Sequence, residues 1–191
     1  FNLTTPMQVA LMTSALANGG TLFEPGIVEA VIDQDGRVTE RFEPRVADRL
    51  VGQARNLKLI RTSLVEAVNG KHGTGKPARL KNITVAGKTG TAQVVRLKQY
   101  EHLKEEDIPY KFRDHAWFTC FAPAENPEIA VTVLVEHGLH GSSGAAPIAR
   151  AVLEEYFKDR IQEKQDVAYM IVPGGDSLAS LEQNMKTAFA H

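Results

Sequence analysis

The feature that most constrains the fold of this chain is the apolar run at residues 128–136. Its centre reads Ile-Ala-Val-Thr-Val-Leu-Val, so nearly every position is β-branched or apolar. A run of this kind, too short for a typical helix, is typical of a strand that is buried on both faces. We therefore expect a sheet that helices cover on both sides.

Two further segments, residues 83–95 and residues 115–122, predict strands of the same sheet. Residues 123–127 (Pro-Ala-Glu-Asn-Pro) separate the second strand from the apolar run, which predicts a turn and an antiparallel pair. The charged residues 98–113 lie between the first two strands. We interpret them as an exposed insertion, although such a run can also contact a partner.

Three segments predict amphipathic helices. The first starts at residues 5–8 (Thr-Pro-Met-Gln), which combine a capping box with a proline in the first turn, and it ends at residues 18–20 (Asn-Gly-Gly). The second ends at residues 69–70 (Asn-Gly), and the third begins near Pro147. The apolar positions that share a face are Val9, Met12 and Leu16 in the first helix, Leu57, Ile60, Leu64 and Val68 in the second, and Ile148, Val152 and Tyr156 in the third.

The remaining predicted elements are a β-hairpin and a C-terminal tail with only weak secondary-structure signals. Residues 27–32 and 38–42 flank residues 35–36 (Asp-Gly), a pair typical of a two-residue hairpin turn. Towards the C-terminus, residues 167–172 suggest a strand and residues 177–189 a short helix. The order of helix, hairpin, helix, three strands and helix predicts an α+β fold, in which an antiparallel β-sheet is flanked by helices.

Charge and composition argue against several classes of protein. The 191 residues carry 22 basic and 23 acidic side chains, a formal net charge of -1, so no attraction to nucleic acid or to an anionic membrane surface is expected. The single cysteine, Cys120, cannot form an internal disulfide. No apolar run approaches the ~20 residues that span a bilayer. The chain opens at Phe1 without an initiator Met, which suggests a fragment or a cleaved chain.

The sharpest chemical feature is the segment at residues 87–92 (Gly-Lys-Thr-Gly-Thr-Ala), and one interpretation is a phosphate loop. That motif requires a glycine five residues before the Gly-Lys pair, where this chain has Asn82. Residues 83–86 (Ile-Thr-Val-Ala) are mostly β-branched, which suits a strand better than a loop around phosphates. Residues 92–95 continue as a strand, whereas a phosphate loop opens a helix. We therefore disfavour a nucleotide site.

The second interpretation places a lysine on a strand that lines an acyl-transfer site. With a period of two, Thr89 and Thr91 share one face and Lys88 points to the other. Two hydroxyls can then meet a ligand carboxylate, while the ammonium reaches beneath to hold a hydroxyl or carboxylate in place. Gly90 between them lets a substrate backbone lie close to the strand. If the strand is at the edge of the sheet, it can also pair with an extended peptide.

The motif and its surroundings carry a family resemblance. K-T-G, here residues 88–90, is one of three signature motifs of penicillin-binding proteins and serine β-lactamases. The chain resembles the class B penicillin-binding proteins, most of all the penicillin-binding protein 2 type, over roughly residues 1–160. The segments that carry the resemblance are residues 3–8 (LTTPMQ), 72–75 (HGTG), 91–94 (TAQV), 117–124 (WFTCFAPA), 126–131 (NPEIAV), 136–138 (EHG) and 144–147 (GAAP).

On this resemblance we assign residues 1–163 to the C-terminal portion of a penicillin-binding transpeptidase domain, and we leave residues 164–191 as an unassigned C-terminal tail. The resemblance implies a peptidoglycan D,D-transpeptidase. A serine attacks the D-Ala-D-Ala end of a stem peptide and forms an acyl-enzyme, which an amine from a neighbouring strand resolves. β-Lactams bind at the same place, and no cofactor or metal is implied.

The resemblance also implies roles for four residues. Lys88 is the catalytic residue, which would orient the hydroxyl of the second motif and balance the charge of the substrate carboxylate. Thr89 and Thr91 would bind that carboxylate, on the substrate-binding strand that also contains Gly90. The backbone N–H of Thr91 would supply half of an oxyanion hole, and the N–H of the serine the other half.

Location and partners follow from the same resemblance. It implies cell-wall synthesis and cell-shape control at the outer, periplasmic face of the bacterial cytoplasmic membrane, with an N-terminal anchor that is absent here. The expected partners are peptidoglycan stem peptides, β-lactams and a membrane glycosyltransferase of the cell-elongation machinery. Nucleic acid is not an expected partner.

The sequence departs from the family pattern in one respect. It contains neither S-x-x-K, which would carry the serine nucleophile, nor S-x-N, and both normally precede the region that this chain resembles. We therefore expect this chain alone not to acylate. The alternative is a non-catalytic module that binds a peptide carboxylate, and the coding sequence upstream of Phe1 would discriminate between the two.

Several residues have simpler interpretations beside the functional ones. His137 and His140 are three apart, but no third ligand has suitable spacing, so a metal site is disfavoured. His115 and Trp117 open a strand and can rim a cleft, although a tryptophan there is more often part of the core. Cys120 is expected to pack as a small hydrophobic residue.

Overall fold

A computed structural model describes residues 3–94, 103–104 and 107–159 of the chain. The chain divides into two compact units, Phe1–Tyr156 and Phe157–His191, and the elements below belong to the first. The strand and helix expected within residues 167–189 lie outside the described residues, as does much of the charged insertion. The described part of that insertion is exposed or half-buried.

Three helices and seven strands make up the described fold. The helices are α1 (Pro6–Ala17), α2 (Ala54–Asn69) and α3 (Ala146–Tyr156). The strands are β1 (Thr21–Phe23), β2 (Ala30–Ile32), β3 (Val38–Arg41), β4 (Val46–Arg49), β5 (Ala86–Ala92), β6 (His115–Ala122) and β7 (Ile129–Val135). Residues Gly141–Ala145 form a short π-helix that leads into α3. Among the described residues, no helix is long and apolar enough to cross a membrane.

The central sheet has the order β5-β6-β7, and both pairs are antiparallel. The predicted α+β fold is therefore confirmed, and so is the predicted antiparallel turn between the last two strands. β6 has the predicted bounds, while β5 begins three residues later than the expected residue 83 and ends three residues before the expected residue 95. The expectation that β7 is buried on both faces is wrong: α1 and α3 both contact it, yet each of its residues is only half-buried.

Helix α1 begins as its sequence predicts. The Thr5 hydroxyl accepts a hydrogen bond from the Gln8 N–H at 3.2 Å, and the Gln8 side chain accepts one from the Thr5 N–H at 2.8 Å. The predicted apolar face is not the buried one, because Met12 is 52% exposed and lines an apolar groove of about 350 Å³. The small residues of α1 are buried instead: Thr13, Ala15 and Ala17.

A chain of hydroxyl groups fixes α1 on the sheet. The Thr13 and Thr119 Oγ1 atoms are 2.7 Å apart, and the Thr119 and Thr132 Oγ1 atoms are also 2.7 Å apart. The Thr13 hydroxyl also reaches the Val9 carbonyl at 2.8 Å. These contacts link one helix and two strands across a sheet face, and they explain how a buried hydroxyl is tolerated in the core.

Helix α2 packs against β5, and its predicted apolar face is confirmed in part: Leu57 and Val68 are buried, Leu64 is half-buried and Ile60 is exposed. The Asn69 side chain donates to the Val85 carbonyl at 2.7 Å and so ties the end of the helix to the start of the strand. Arg61 donates to the carbonyls of Ala17 and Ala124 at 2.7 and 2.8 Å. The guanidinium thus joins α1, α2 and the turn after β6.

The hairpin and the last helix differ from expectation in detail. β2 and β3 do form an antiparallel hairpin, but the Asp33 N–H bonds the Arg37 carbonyl at 2.9 Å, so three residues make the turn and not two. In α3 the buried residues are Ala146, Ala149 and Leu153. The predicted face of Ile148, Val152 and Tyr156 is exposed, because small residues allow the opposite side of the helix to approach the sheet closely.

Candidate active site

The K-T-G motif lies within a strand. Residues 87–92 all belong to β5, which pairs with β6 along its whole length, and Lys88 is opposite Thr119. A phosphate loop opens a helix, so this placement excludes that interpretation. It also confirms the prediction that Lys88 lies on the strand beside the one that begins at His115. In the described sheet β5 has no second neighbour and is an edge strand.

Close packing explains both glycines of residues 87–92. A Cβ atom on Gly87 would lie 2.7 Å from both the Cys120 Cβ and the Thr119 carbonyl oxygen, a separation that side chains do not tolerate. A Cβ atom on Gly90 would lie 3.1 Å from the Trp117 Cβ. β5 therefore lies close to β6 at both positions. The two glycines allow this close approach because they have no side chain.

Replacing Gly87 with alanine is expected to destabilise the fold by about 1–3 kcal/mol, since the atoms around it are backbone and buried side chain. The matched control is Gly26→Ala, because a Cβ atom on Gly26 meets nothing within 4 Å. Urea unfolding midpoints of the two variants test this expectation. Equal midpoints would contradict the close packing of β5 on β6.

Lys88 is exposed, and its ammonium curls back along its own strand. The Nζ atom donates to the Thr89 carbonyl oxygen at 2.7 Å and lies 3.3 Å from the Thr89 Oγ1. Lys88 and Thr89 start from opposite faces of the strand, yet the long lysine side chain brings the charge next to the hydroxyl. A cation and a hydroxyl placed together in this way suit a carboxylate ligand.

Thr74 is a member of this group that sequence reasoning did not single out. Its Oγ1 atom lies 2.8 Å from the Thr89 Oγ1, and both side chains are on the surface or half-buried. Thr74 comes from the turn between α2 and β5, where a Cβ on Gly73 would lie 2.4 Å from the Ala67 carbonyl oxygen. Residues 72–75 supported the family resemblance, but nothing in their order shows that this turn reaches β5.

The hydroxyl of Thr89 therefore lies between two polar neighbours. Because the Lys88 ammonium can only donate, the Thr89 oxygen must accept from it. If Thr74 also donates to Thr89, the Thr89 proton is free to point away from the protein towards a ligand. Thr91, two residues further along the edge strand, is exposed and adds another hydroxyl. The arrangement offers several donors and one positive charge to an anion.

Comparison with known proteins decides the family. A sequence model described as the penicillin binding protein transpeptidase domain matches residues 3–154. The chain belongs to this family. The peptidoglycan D,D-transpeptidase MrdA of Haemophilus influenzae is 36% identical to this chain over 177 residues, which cover 86% of the chain and 27% of that relative. MrdA of Acinetobacter baumannii is 32% identical over 178 residues, 93% of the chain and 26% of the relative.

Solved structures of penicillin-binding proteins match the fold. The D,D-transpeptidase domain of a peptidoglycan glycosyltransferase from Eggerthella lenta has a TM-score of 0.65 at 27% identity, and it covers 82% of this chain and 33% of that one. Penicillin-binding protein 2 of Pseudomonas aeruginosa has a TM-score of 0.61 at 33% identity, with 81% and 30% covered. The chain thus spans about a quarter to a third of the length of these relatives.

Two other candidate residues, Cys120 and Trp117, lie on β6. Cys120 is fully buried, and burial raises the pKa of its thiol to about 12, although a hydrogen bond with the Val131 backbone lowers it. The thiol is therefore protonated and a poor nucleophile. Trp117 is half-buried opposite Gly90. Among the described residues, no three His, Cys, Asp or Glu side chains are grouped so that they could hold a metal.

Proposed function

We propose that this chain is the C-terminal portion of the transpeptidase domain of a peptidoglycan D,D-transpeptidase. The observation that carries the proposal is the group of Lys88, Thr89 and Thr74 on an exposed edge strand, in a chain of the penicillin-binding transpeptidase family. A stem peptide that ends in D-Ala-D-Ala has a free carboxylate, and this group offers that carboxylate a positive charge and hydroxyl donors.

In the proposed reaction this part of the protein binds and orients the substrate. The Lys88 ammonium and the Thr89 and Thr91 hydroxyls hold the terminal carboxylate, and the edge of β5 lies beside the extended peptide. A serine from another part of the full-length protein attacks the penultimate carbonyl, and terminal D-Ala leaves as an amine. The backbone N–H of Thr91 stabilises the oxyanion together with the N–H of that serine.

The acyl-enzyme is then resolved by an amine of a neighbouring stem peptide, which forms the new amide and frees the serine. No cofactor or metal is needed for these steps. A β-lactam would acylate the same serine with its carboxylate at Lys88. Penicillin-binding protein A of Mycobacterium tuberculosis, 30% identical with a TM-score of 0.62, has been solved as a ceftriaxone acyl-enzyme complex.

Partners and location are proposed from the same family membership. Penicillin-binding protein 2 of Helicobacter pylori, 33% identical to this chain with a TM-score of 0.59, has been solved in complex with MreC. By analogy, the full-length protein would work at the periplasmic face of the cytoplasmic membrane, anchored by an N-terminal segment. A membrane glycosyltransferase of the cell-elongation machinery would supply its glycan strands.

A non-catalytic module that binds a peptide carboxylate is the second candidate, because the chain has no S-x-x-K motif. The test is to label a full-length protein that carries this chain with a fluorescent penicillin and to map the labelled peptide. We expect one covalent label, on a serine outside the 191 residues. An unlabelled full-length protein that still binds D-Ala-D-Ala peptides would favour the binding module and refute the transpeptidase.

A further inference from the structure

The turn that follows β7, residues 136–141, has a strained and firmly held backbone. His137 has φ 56° and Leu139 has φ 64°, a left-handed conformation that residues other than glycine rarely adopt. Gly138 lies between them, and a Cβ atom on it would lie 2.8 Å from the Val135 Cγ1. We call residues 136–141 the latch turn. Such strain persists only where surrounding contacts enforce it.

Three hydrogen bonds tie the latch turn to the start of β6. The His137 N–H donates to the His115 Nδ1 at 2.9 Å, and the His137 Nδ1 lies 3.0 Å from the Arg113 carbonyl oxygen. The Leu139 N–H donates to the Asp114 carbonyl at 2.9 Å. The first bond requires an unprotonated Nδ1 on His115, and the second requires a proton on Nδ1 of His137, because a carbonyl only accepts.

The two imidazole rings form one cluster, in contact and tilted by 58° to each other. Their centroids are 4.8 Å apart, and the ring of Tyr110 lies 4.9 Å from that of His137 on the exposed end of the charged insertion. Because His115 pairs with Ala92 at the end of β5, the cluster sits at the far end of the strand that carries Lys88. Each histidine thus connects the latch turn to this end of the sheet.

The latch turn ends against the backbone of β5. A Cβ atom on Gly141 would lie 2.2 Å from the Trp117 carbonyl oxygen, 2.7 Å from the Gly90 carbonyl oxygen and 3.0 Å from the Gly90 nitrogen. The Gly141 backbone therefore rests directly on the residue between Thr89 and Thr91. Besides β6, the elements that pack on β5 are α2, whose Asn69 bonds the backbone at Val85, and Gly141–Ala145. Gly141 meets β5 at Gly90, and the turn that carries Thr74 meets it at the neighbouring Thr89 hydroxyl.

We propose that His115 and His137 are positioning residues for the substrate carboxylate. Neither touches the ligand. The two histidines hold the latch turn in its strained conformation, the turn holds Gly141 on Gly90, and Gly141 sets where the Thr89 and Thr91 hydroxyls stand. The inference rests on the proposed function, because it assumes that these hydroxyls meet a carboxylate. Loss of either histidine should therefore slow acylation by an agent that has a carboxylate more than it slows acylation by an agent that lacks one.

The test compares benzylpenicillin with its methyl ester, which lacks the carboxylate charge, as acylating agents of a full-length protein that carries this chain. The measured quantity is the second-order acylation rate for benzylpenicillin divided by the rate for its methyl ester. His115→Leu removes the acceptor for the His137 N–H and should lower the ratio about tenfold, as small misplacements of binding groups do. His115→Asn places a side-chain oxygen near the Nδ1 position and should restore most of the ratio.

A second variant, at residue 137, tests the inference with less risk that the protein fails to fold. In His137→Gly the backbone takes φ 56° without strain, but the ring and its bond to Arg113 are lost. It too should lower the ratio, by roughly the same factor. An unchanged ratio in either variant, with a thermal melt that shows it folded, would overturn the inference. Lys88→Ala serves as the reference: if it also leaves the ratio unchanged, the proposed function fails instead.

Discussion

Replacing Lys88 with alanine in a full-length protein that carries this chain is expected to lower the second-order rate of penicillin acylation by a hundredfold or more. In the proposed function, a penicillin brings its carboxylate to the edge of β5, where the Lys88 ammonium lies beside the Thr89 hydroxyl. Loss of a charge-assisted partner of this kind costs about 2.7–4 kcal/mol of transition-state stabilisation, judged from the loss of an oxyanion-hole donor. That cost corresponds to roughly a hundredfold or more in rate.

The matched control is Cys120→Ser, on the strand beside β5. Cys120 is buried and protonated, and its thiol bonds the Val131 backbone, a contact that a serine hydroxyl can take over. Acylation by this variant should stay close to the wild-type rate, and the buried polar hydroxyl should lower its stability slightly. A Lys88→Ala rate within about threefold of wild type would mean that the lysine lies outside the site.

The strands of the central sheet could be predicted from sequence because local patterns encode them. The β-branched run predicted the bounds of β7 to within one residue at each end, and β6 has the bounds that its apolar pattern indicates. The capping box at Thr5 and Gln8 likewise formed as its residues predict, since both partners lie within one turn. Lys88 was placed correctly because the residues around it favour a strand over a loop.

What the sequence did not predict depends on contacts between distant segments. The hydroxyl contact from Thr74 to Thr89 crosses a turn whose course is set by tight packing at Gly73. The buried side of α3 was assigned to its bulkier residues, whereas Ala146 and Ala149 pack because small side chains allow close approach. The size of apolar side chains therefore does not identify the buried side of a helix that lies close to a sheet. Contacts between short polar side chains of distant segments leave no local pattern in the sequence.

The 191-residue chain by itself is expected to take up no covalent label from a fluorescent penicillin. Acylation needs an activated hydroxyl or thiolate, and the chain has no S-x-x-K serine. Its one thiol, on Cys120, is fully buried, and burial raises its pKa to about 12, so almost no thiolate forms near neutral pH. In the proposed function the Lys88 site binds the carboxylate of the drug, and the serine that opens the ring comes from outside the 191 residues.

The measurement is fluorescence that survives denaturing electrophoresis, with a full-length protein that carries the chain as the positive control under the same conditions. Only the full-length protein should retain a band. Stoichiometric labelling of the 191 residues would show that they contain a nucleophile of their own, and peptide mapping would identify it. Because the label depends on a covalent bond and not on binding, weak retention of penicillin at Lys88 cannot produce this band.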